Sequence, residues 1–236
     1  MRIRLLTLLA FLAFVCLARA ADVWQGKPVE EWTREETQEF FRDSPWVHQV
    51  IVTEQRVAVQ PASYPPSTRE PERTSSSAEG IKTEPRFGPN GVPVETAYYI
   101  EWSSARIVRQ AGAHYRTLQG KGREEKQEFN LHAYVLTVSG YDLTVFEGLD
   151  ETALKKAAYL RPQESKQKIR PAKVEILRGA DGQAIAVRYS FPVEKDGQPL
   201  ISDGEQCVTF VSRAGELRLR TRFNPPEMVI GKGRDL

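Results

Sequence analysis

The sequence predicts an α+β fold, and three observations support this prediction. Between residues 103 and 118, apolar side chains recur at helical spacing. Beyond residue 172, they alternate with polar ones between glycine-containing turns, as is typical of antiparallel sheets. Residues 61–93 hold seven of the fifteen prolines, a composition typical of flexible segments. We therefore expect one domain over residues 21–236, with a mainly antiparallel sheet, about three short helices and a long flexible loop at about 60–93.

The first helix is predicted to start at Thr33 and to run to about Arg42. Thr33 and Glu36 have the spacing of a capping box, in which each side chain accepts a hydrogen bond from the other residue's backbone amide. The β-branched residues from 47 to 59 predict a strand after it. Residues 21–59 are too few to form a core of their own, so we interpret the proline-rich segment as a loop within one domain. The strand before it should pair with the strand at 94–102.

The remaining elements follow from the same kinds of pattern. Ser103 or Ser104 is expected to cap a second helix that runs to Leu118. A third helix should start at Asp150 or Thr152 and extend through Leu160. Strands are expected near 131–138, 141–146, 172–177, 184–191, 205–212 and 216–223, the last four as an antiparallel meander.

The N-terminal twenty residues have the pattern of a secretory signal peptide. Two arginines precede an apolar run from Leu5 to Ala18, and Ala18-Arg19-Ala20 offers small residues for cleavage near Ala20. The alternative is a membrane anchor, but 14 apolar residues fall short of the roughly 20 that a spanning helix needs. We expect an exported protein, periplasmic or extracellular, with no transmembrane segment in the mature chain.

Cleavage would change both the charge and the cysteine content of the chain. The precursor has a formal charge of +2, whereas the loss of Arg2, Arg4 and Arg19 leaves 30 basic against 31 acidic side chains. This balance gives no overall attraction to nucleic acid, so no nucleic-acid partner is predicted. Cys207 would be the only cysteine left, and the mature chain could form no internal disulfide.

No motif in the sequence indicates a particular reaction, and we predict no catalytic residue, metal site or cofactor. The Gly-x-Ser-x-Gly turn of many serine hydrolases is absent. His48, His114 and His132 lie on three different predicted elements, without the spacing of metal ligands. Cys207 is interpreted as a small, half-buried side chain in a strand, although pairing with a histidine would make it a nucleophile.

The most regular charge pattern lies in the last long predicted strand. Arg218, Arg220 and Arg222 share one face of it, so the three could bind phosphate or an anionic polymer. The interpretation that we favour is a solvated face, on which the arginines pair with acids such as Glu175, Glu205 or Glu216 and discourage association of sheet edges.

A set of aromatic residues allows two interpretations. They could form a platform for carbohydrate or pack in the core, and we favour packing because three of the four tryptophans lie before residue 50, near short elements that need anchoring. The set comprises Trp24, Trp32, Trp46, Tyr98, Tyr99 and Trp102.

Both ends of the mature chain resemble a group of exported bacterial proteins of uncharacterised function. The N-terminal part has the Trp-Thr-x-Glu-Glu and Ser-Pro-Trp segments of that group, at residues 32–36 and 44–46. The C-terminal part has its Phe-Asn-Pro corner at 223–225 and its Met-to-Asp-Leu ending at 228–236. The resemblance implies export and a single domain, and it carries no catalytic or binding residue over.

The sequence therefore favours a non-catalytic envelope protein with an interaction or structural role and an unidentified envelope or extracellular protein partner. Two alternatives stay open: a hydrolase with an unrecognised site, and a carrier of a small ligand in a cavity between sheet and helices. Convergent His, Asp, Glu or Cys207 side chains around a cleft would favour the hydrolase. An apolar pocket would favour the carrier.

Overall fold

The computed structural model describes residues 23–54, 94–120 and 132–236. The expected signal peptide and proline-rich loop lie outside these residues. The chain divides into two units, residues 1–50 with 98–236, and residues 51–97. Of the smaller unit, the described parts are the ends of two strands, 51–54 and 94–97. All the sites discussed below lie in the larger unit.

The fold is α+β, as predicted. The helices are α1 (Val23–Gly26), α2 (Arg34–Arg42), α3 (Arg106–Leu118), α4 (Thr144–Glu147) and α5 (Glu151–Ala157), with a 3₁₀ turn at Val29–Glu31. The long strands are β1 (Val47–Glu54), β2 (Val94–Trp102), β3 (Ala133–Gly140), β4 (Tyr159–Pro162), β5 (Lys173–Arg178) and β6 (Ala184–Pro192). Further strands are β7 (Glu194–Lys195), β8 (Gln198–Pro199), β9 (Val208–Ala214), β10 (Leu217–Phe223), β11 (Val229–Ile230) and β12 (Gly233–Arg234).

The long strands form two sheets. One has five strands in the order β1-β2-β3-β6-β5, so β1 and β2 are neighbours, as expected. The other has three strands in the order β10-β9-β4, and both of its pairs are antiparallel. No helix among the described residues has the length and hydropathy needed to cross a bilayer.

The start of α2 confirms the predicted capping box. The Glu36 amide donates to Thr33 Oγ1 at 3.1 Å, and the Thr33 amide donates to Glu36 Oε2 at 2.6 Å. Lys27 adds an ion pair to Glu36 at 2.7 Å, and hydrogen bonds from Lys27 and Thr33 hold the pKa of Glu36 below its usual value. The helix then buries Phe40 against Trp24, Trp32 and Trp46, at ring centroid distances of 5.2–5.9 Å.

Most of the aromatic set packs in the core, which confirms that interpretation for four of its six members. Trp32, Trp46, Tyr98 and Trp102 are all at most 2% exposed. Trp46 also donates from Nε1 to the backbone oxygen of Asp235 at 2.7 Å, which fastens the C-terminal segment to the core. These rings are unavailable to a carbohydrate.

The start of α3 differs from the prediction. Its N-cap is Ala105, whose side chain offers no acceptor. The two serines that were expected to cap the helix make other contacts: Ser103 donates to Glu101, and Ser104 accepts from the Val135 amide. Burial raises the pKa of Glu101 above its usual value. The acceptor for the helix comes instead from the C-terminal segment: Asp235 accepts from the amides of Arg106 at 2.7 Å and Ile107 at 2.8 Å. A residue 129 positions away therefore caps the helix.

Four other expectations are wrong. The last four predicted strands do not form one meander, because β5 and β6 lie in the five-stranded sheet and β9 and β10 in the three-stranded one. Residues 141–146 form no strand, because the Asp142 carboxylate accepts from the amide and hydroxyl of Thr144 and starts helix α4 there. Helix α5 ends at Ala157 because the chain beyond it pairs with β9 as strand β4. Strand β9 starts at Val208, so Glu205 lies in the loop before it.

Candidate functional site

The predicted arginine stripe lies on β10, an edge strand of the three-stranded sheet. Leu217, Leu219 and Phe223 are buried on one side of this strand, and Arg218, Arg220 and Arg222 are exposed on the other. The period of two follows from the pleat of a strand, so consecutive arginine Cα atoms are about 7 Å apart. The structure therefore confirms the alternation, and what the exposed side binds stays a prediction.

The stripe belongs to a larger cationic surface that we call the arginine face. Opposite Arg218 on the central strand lies Arg213, and opposite Arg222 lies Thr209. Thr209 is in turn opposite Arg161 on β4. Because residues directly opposite one another project to the same side of a sheet, five arginines share this side. They are Arg161, Arg213, Arg218, Arg220 and Arg222.

Within the described parts of the chain, none of these five arginine side chains has a carboxylate oxygen within 4.0 Å or a hydrogen-bond partner. Two of the acids that the sequence offered as partners are engaged elsewhere. Glu175 pairs with Lys173 at 2.7 Å, and the buried Glu205 carboxylate accepts backbone hydrogen bonds. The described residues therefore do not show the ion pairs with acids that the solvated-face interpretation predicted.

Protection of a sheet edge also accounts for only part of the arginine face. Charged side chains on an edge strand discourage pairing with another chain, which fits Arg218, Arg220 and Arg222. Arg213 lies on the central strand β9, where there is no edge to protect. Its position directly opposite Arg218 is destabilising, because like charges on paired strands repel. The fold tolerates this repulsion, and a bound anion would relieve it.

This repulsion gives a testable prediction about stability. We expect Arg218→Glu to raise the free energy of unfolding by about 0.2–1 kcal/mol at low salt, because a like-charge pair becomes an opposite-charge pair. Arg218→Gln, which only removes the repulsion, should gain less. Urea titrations at low and high salt measure the effect, which salt should screen. A glutamate variant that is less stable than the natural protein would contradict this account of Arg213 and Arg218.

A depression of about 280 Å³ lies at the β4 end of the arginine face. It brings together cations from both edge strands and from the loop after β4, around Thr209 of the central strand. Among the described residues, no carboxylate lines it. Its lining residues are Arg161, Gln163, Lys166, Cys207, Thr209, Arg220 and Arg222.

Cys207 is a free, half-buried thiol, as the sequence predicted, but it lies one residue before β9 and not in the strand. The sequence did not indicate that it lines a depression beside Arg161, Lys166 and Arg222. No histidine is among the lining residues that the structure describes, so the pairing of Cys207 with a histidine is not displayed there.

Glu205, which the sequence analysis placed in a strand, holds two of the residues that line this depression. Glu205 is 1% exposed, and its carboxylate accepts from the amides of Gln163 at 2.8 Å, Glu164 at 3.3 Å and Cys207 at 3.4 Å. It thereby fastens the loop after β4 to the chain that enters β9. Two of its three partners, Gln163 and Cys207, line the depression.

One serine and lysine have the Ser-x-x-Lys spacing of a serine hydrolase, Ser165 and Lys168. They lie in a turn rather than at a helix start. Ser165 Oγ accepts from the Gln167 amide at 3.3 Å, and Lys168 Nζ lies 4.8 Å from the centre of the Tyr159 ring. The ammonium group is thus directed to the ring, and the pair does not form a nucleophile and its base.

A second depression, of about 570 Å³, gathers groups that would suit a hydrolase. Asp43, Ser44, His48 and Glu227 are among its lining residues. Ser44 Oγ and His48 Nε2 are both buried, and neither has a hydrogen-bond partner within the described residues. A serine nucleophile needs a hydrogen bond to its base and access to substrate, so this arrangement does not assemble a Ser-His pair.

Burial lowers the pKa of His48 below its usual 6.5, although the carboxylates of Asp43 and Glu227 raise it in part. The unfolded chain therefore takes up the proton first as the pH falls. The stability that His48 contributes is complete above about pH 6.5 and is lost as the pH falls through the lower, folded-state value. We expect His48→Gln to flatten the decline in unfolding free energy between pH 7 and pH 5. Urea titrations across this range test it, with the exposed His132→Gln as control; equal slopes for both variants would contradict it.

Within the described ranges, no group of three or more His, Cys, Asp or Glu side chains could hold a metal ion. Compared with protein-family models, curated proteins and solved structures, the chain gives no significant match. The functional argument therefore depends on the geometry of the arginine face.

Proposed function

We propose that this protein is an exported, non-catalytic envelope protein that binds an anionic polymer through the arginine face. One observation carries the proposal: five arginines from three strands share one side of a sheet, and none of their side chains has an ion-pair or hydrogen-bond partner within the described residues. Exposed guanidinium groups bind carboxylate and phosphate through paired hydrogen bonds. The N-terminal pattern, with its expected cleavage near Ala20, favours a polymer of the cell surface.

The arginine face suits a polysaccharide or polyol chain better than a single-stranded nucleic acid. Proteins that bind single strands provide aromatic rings on which bases stack. Tyr159 is the aromatic residue that the strand register places on this face, and Lys168 lies over its ring. The near-neutral charge of the mature chain also differs from that of nucleic-acid-binding domains.

The test compares two triple variants that lose the same net charge. The first is Arg218→Gln with Arg220→Gln and Arg222→Gln; the control is Arg42→Gln with Lys195→Gln and Lys232→Gln, all exposed and away from the arginine face. Retention on an anionic resin and on a cell-wall fraction is measured over a salt gradient. We expect the arginine-face variant to elute at clearly lower salt and the control to elute with the natural protein. Equal elution of the two variants would refute the proposal.

A further inference from the structure

The depression at the β4 end of the arginine face differs from the rest of that face. Arg161 and Arg222 lie on the two edge strands, about 10 Å apart at the backbone, because two strand spacings separate them. Thr209 lies between them on the central strand, with its side chain on the same side. The two long side chains thus flank one hydroxyl group. Arg213 and Arg218, at the other end of the face, have no such arrangement.

The charge of the depression indicates what it would bind. Of the residues that the structure describes, four cations line it, namely Arg161, Lys166, Arg220 and Arg222, and no carboxylate does. A carboxylate ligand is planar, carries one charge and is satisfied by a single arginine. Cations from two edge strands and a loop can bind more oxygen atoms, and balance more negative charge, than a single arginine can.

The depression has room for a tetrahedral oxyanion. Its volume of about 280 Å³ lies near the lower end of the range of about 300–1,000 Å³ that is typical of sites for small molecules. The charge of its lining, rather than its size, therefore indicates which group it would bind.

We infer that this depression is a site for a tetrahedral oxyanion ester, a phosphate or sulfate group carried by the bound polymer. Arg161 and Arg222 hold its oxygens from two sides, Arg220 and Lys166 add charge, and Thr209 offers a hydroxyl from below. This inference rests on the proposed function, because the ester belongs to the polymer that the arginine face binds. It adds that the protein selects phosphorylated or sulfated chains over carboxylated ones.

Cys207 provides a direct readout of occupancy. It lines the depression and would be the only thiol of the mature chain, so a neutral alkylating reagent such as iodoacetamide reports on this one place. We expect glycerol 3-phosphate to slow alkylation in the intact mature protein, and acetate at equal ionic strength to leave the rate unchanged. A sulfate ester in a third arm distinguishes the two oxyanions. Equal protection by acetate and by the esters would overturn the inference.

Two single variants separate the depression from the rest of the arginine face. Arg161→Gln removes a cation that lines the depression, whereas Arg218→Gln removes one that does not. We expect Arg161→Gln to weaken protection by glycerol 3-phosphate at least tenfold, and Arg218→Gln to change it less than twofold. Equal effects of the two variants would overturn the inference.

The outcomes also separate this inference from the proposed function. If the triple arginine-face variant elutes from the resin with its control, the proposed function fails. If it elutes earlier while acetate protects Cys207 as well as the esters do, only the oxyanion site fails. Circular dichroism and thermal denaturation of each variant establish that it is folded.

Discussion

Glu205→Ala is expected to lower the free energy of unfolding by about 2 kcal/mol or more. The buried carboxylate accepts from three amides, and two of these, of Glu164 and Cys207, have no other acceptor within the described chain. A hydrogen bond to a charged group contributes about 1.5–3 kcal/mol, and water replaces part of this because the bonds from Glu164 and Cys207 are only partly buried. For a domain of this size the change corresponds to a fall in Tm of roughly 4–8 °C. Differential scanning calorimetry measures it.

The same variant should also alter the depression. The loop after β4 would lose its attachment to the start of β9, so Gln163 and Cys207 would no longer be held in place. We expect faster alkylation of Cys207 and weaker protection by glycerol 3-phosphate. Glu164→Ala is the matched control, because that neighbouring carboxylate is exposed and should cost less than about 0.5 kcal/mol. Equal stabilities of the two variants would show that the buried carboxylate does not hold this loop.

Asp235→Ala should lower the free energy of unfolding by about 1–2 kcal/mol. The carboxylate caps α3 by accepting from the amides of Arg106 and Ile107, and Ala105 at the N-cap position offers no substitute. A negative charge at this end of a helix also interacts favourably with the helix dipole. Asp235→Asn keeps an acceptor and loses the charge, so it should have an intermediate stability.

Amide hydrogen exchange gives this prediction a local readout. In Asp235→Ala, the amides of Arg106 and Ile107 should exchange faster than in the natural protein, because they lose their acceptor. The hydrogen bond from the Trp46 indole Nε1 to the backbone oxygen of Asp235 does not need the carboxylate, so the C-terminal segment should stay attached. A variant within 0.3 kcal/mol of the natural protein would contradict the assignment of Asp235 as the cap.

The local features of the fold could be predicted from the sequence. The capping box of α2 needs only Thr33 and Glu36, and the alternation on β10 is a property of seven adjacent residues. Both patterns act over a few positions, so they are visible in the sequence itself. The predicted α+β class followed from patterns of this kind.

Apart from the strand expected at 141–146, the main predictions that failed concern elements that depend on distant residues. The cap of α3 comes from Asp235, far along the chain, so the nearby serines were the only visible candidates. Strand β4 exists because it pairs with β9, and a four-residue strand after a helix has no pattern of its own. Without β4, Arg161 could not be placed on the same side of the sheet as Arg222. The arginine face was therefore predicted only as its β10 stripe.

The most direct test of the arginine face is the salt dependence of binding to a simple polyanion. The mature protein and its triple Arg218, Arg220 and Arg222 glutamine variant are titrated with inorganic polyphosphate at several salt concentrations. Each arginine that contacts the chain releases bound counterions, so we expect weaker binding by the variant and a plot of log affinity against log salt that is shallower by about 2. Identical affinities and slopes for the two proteins would contradict the account.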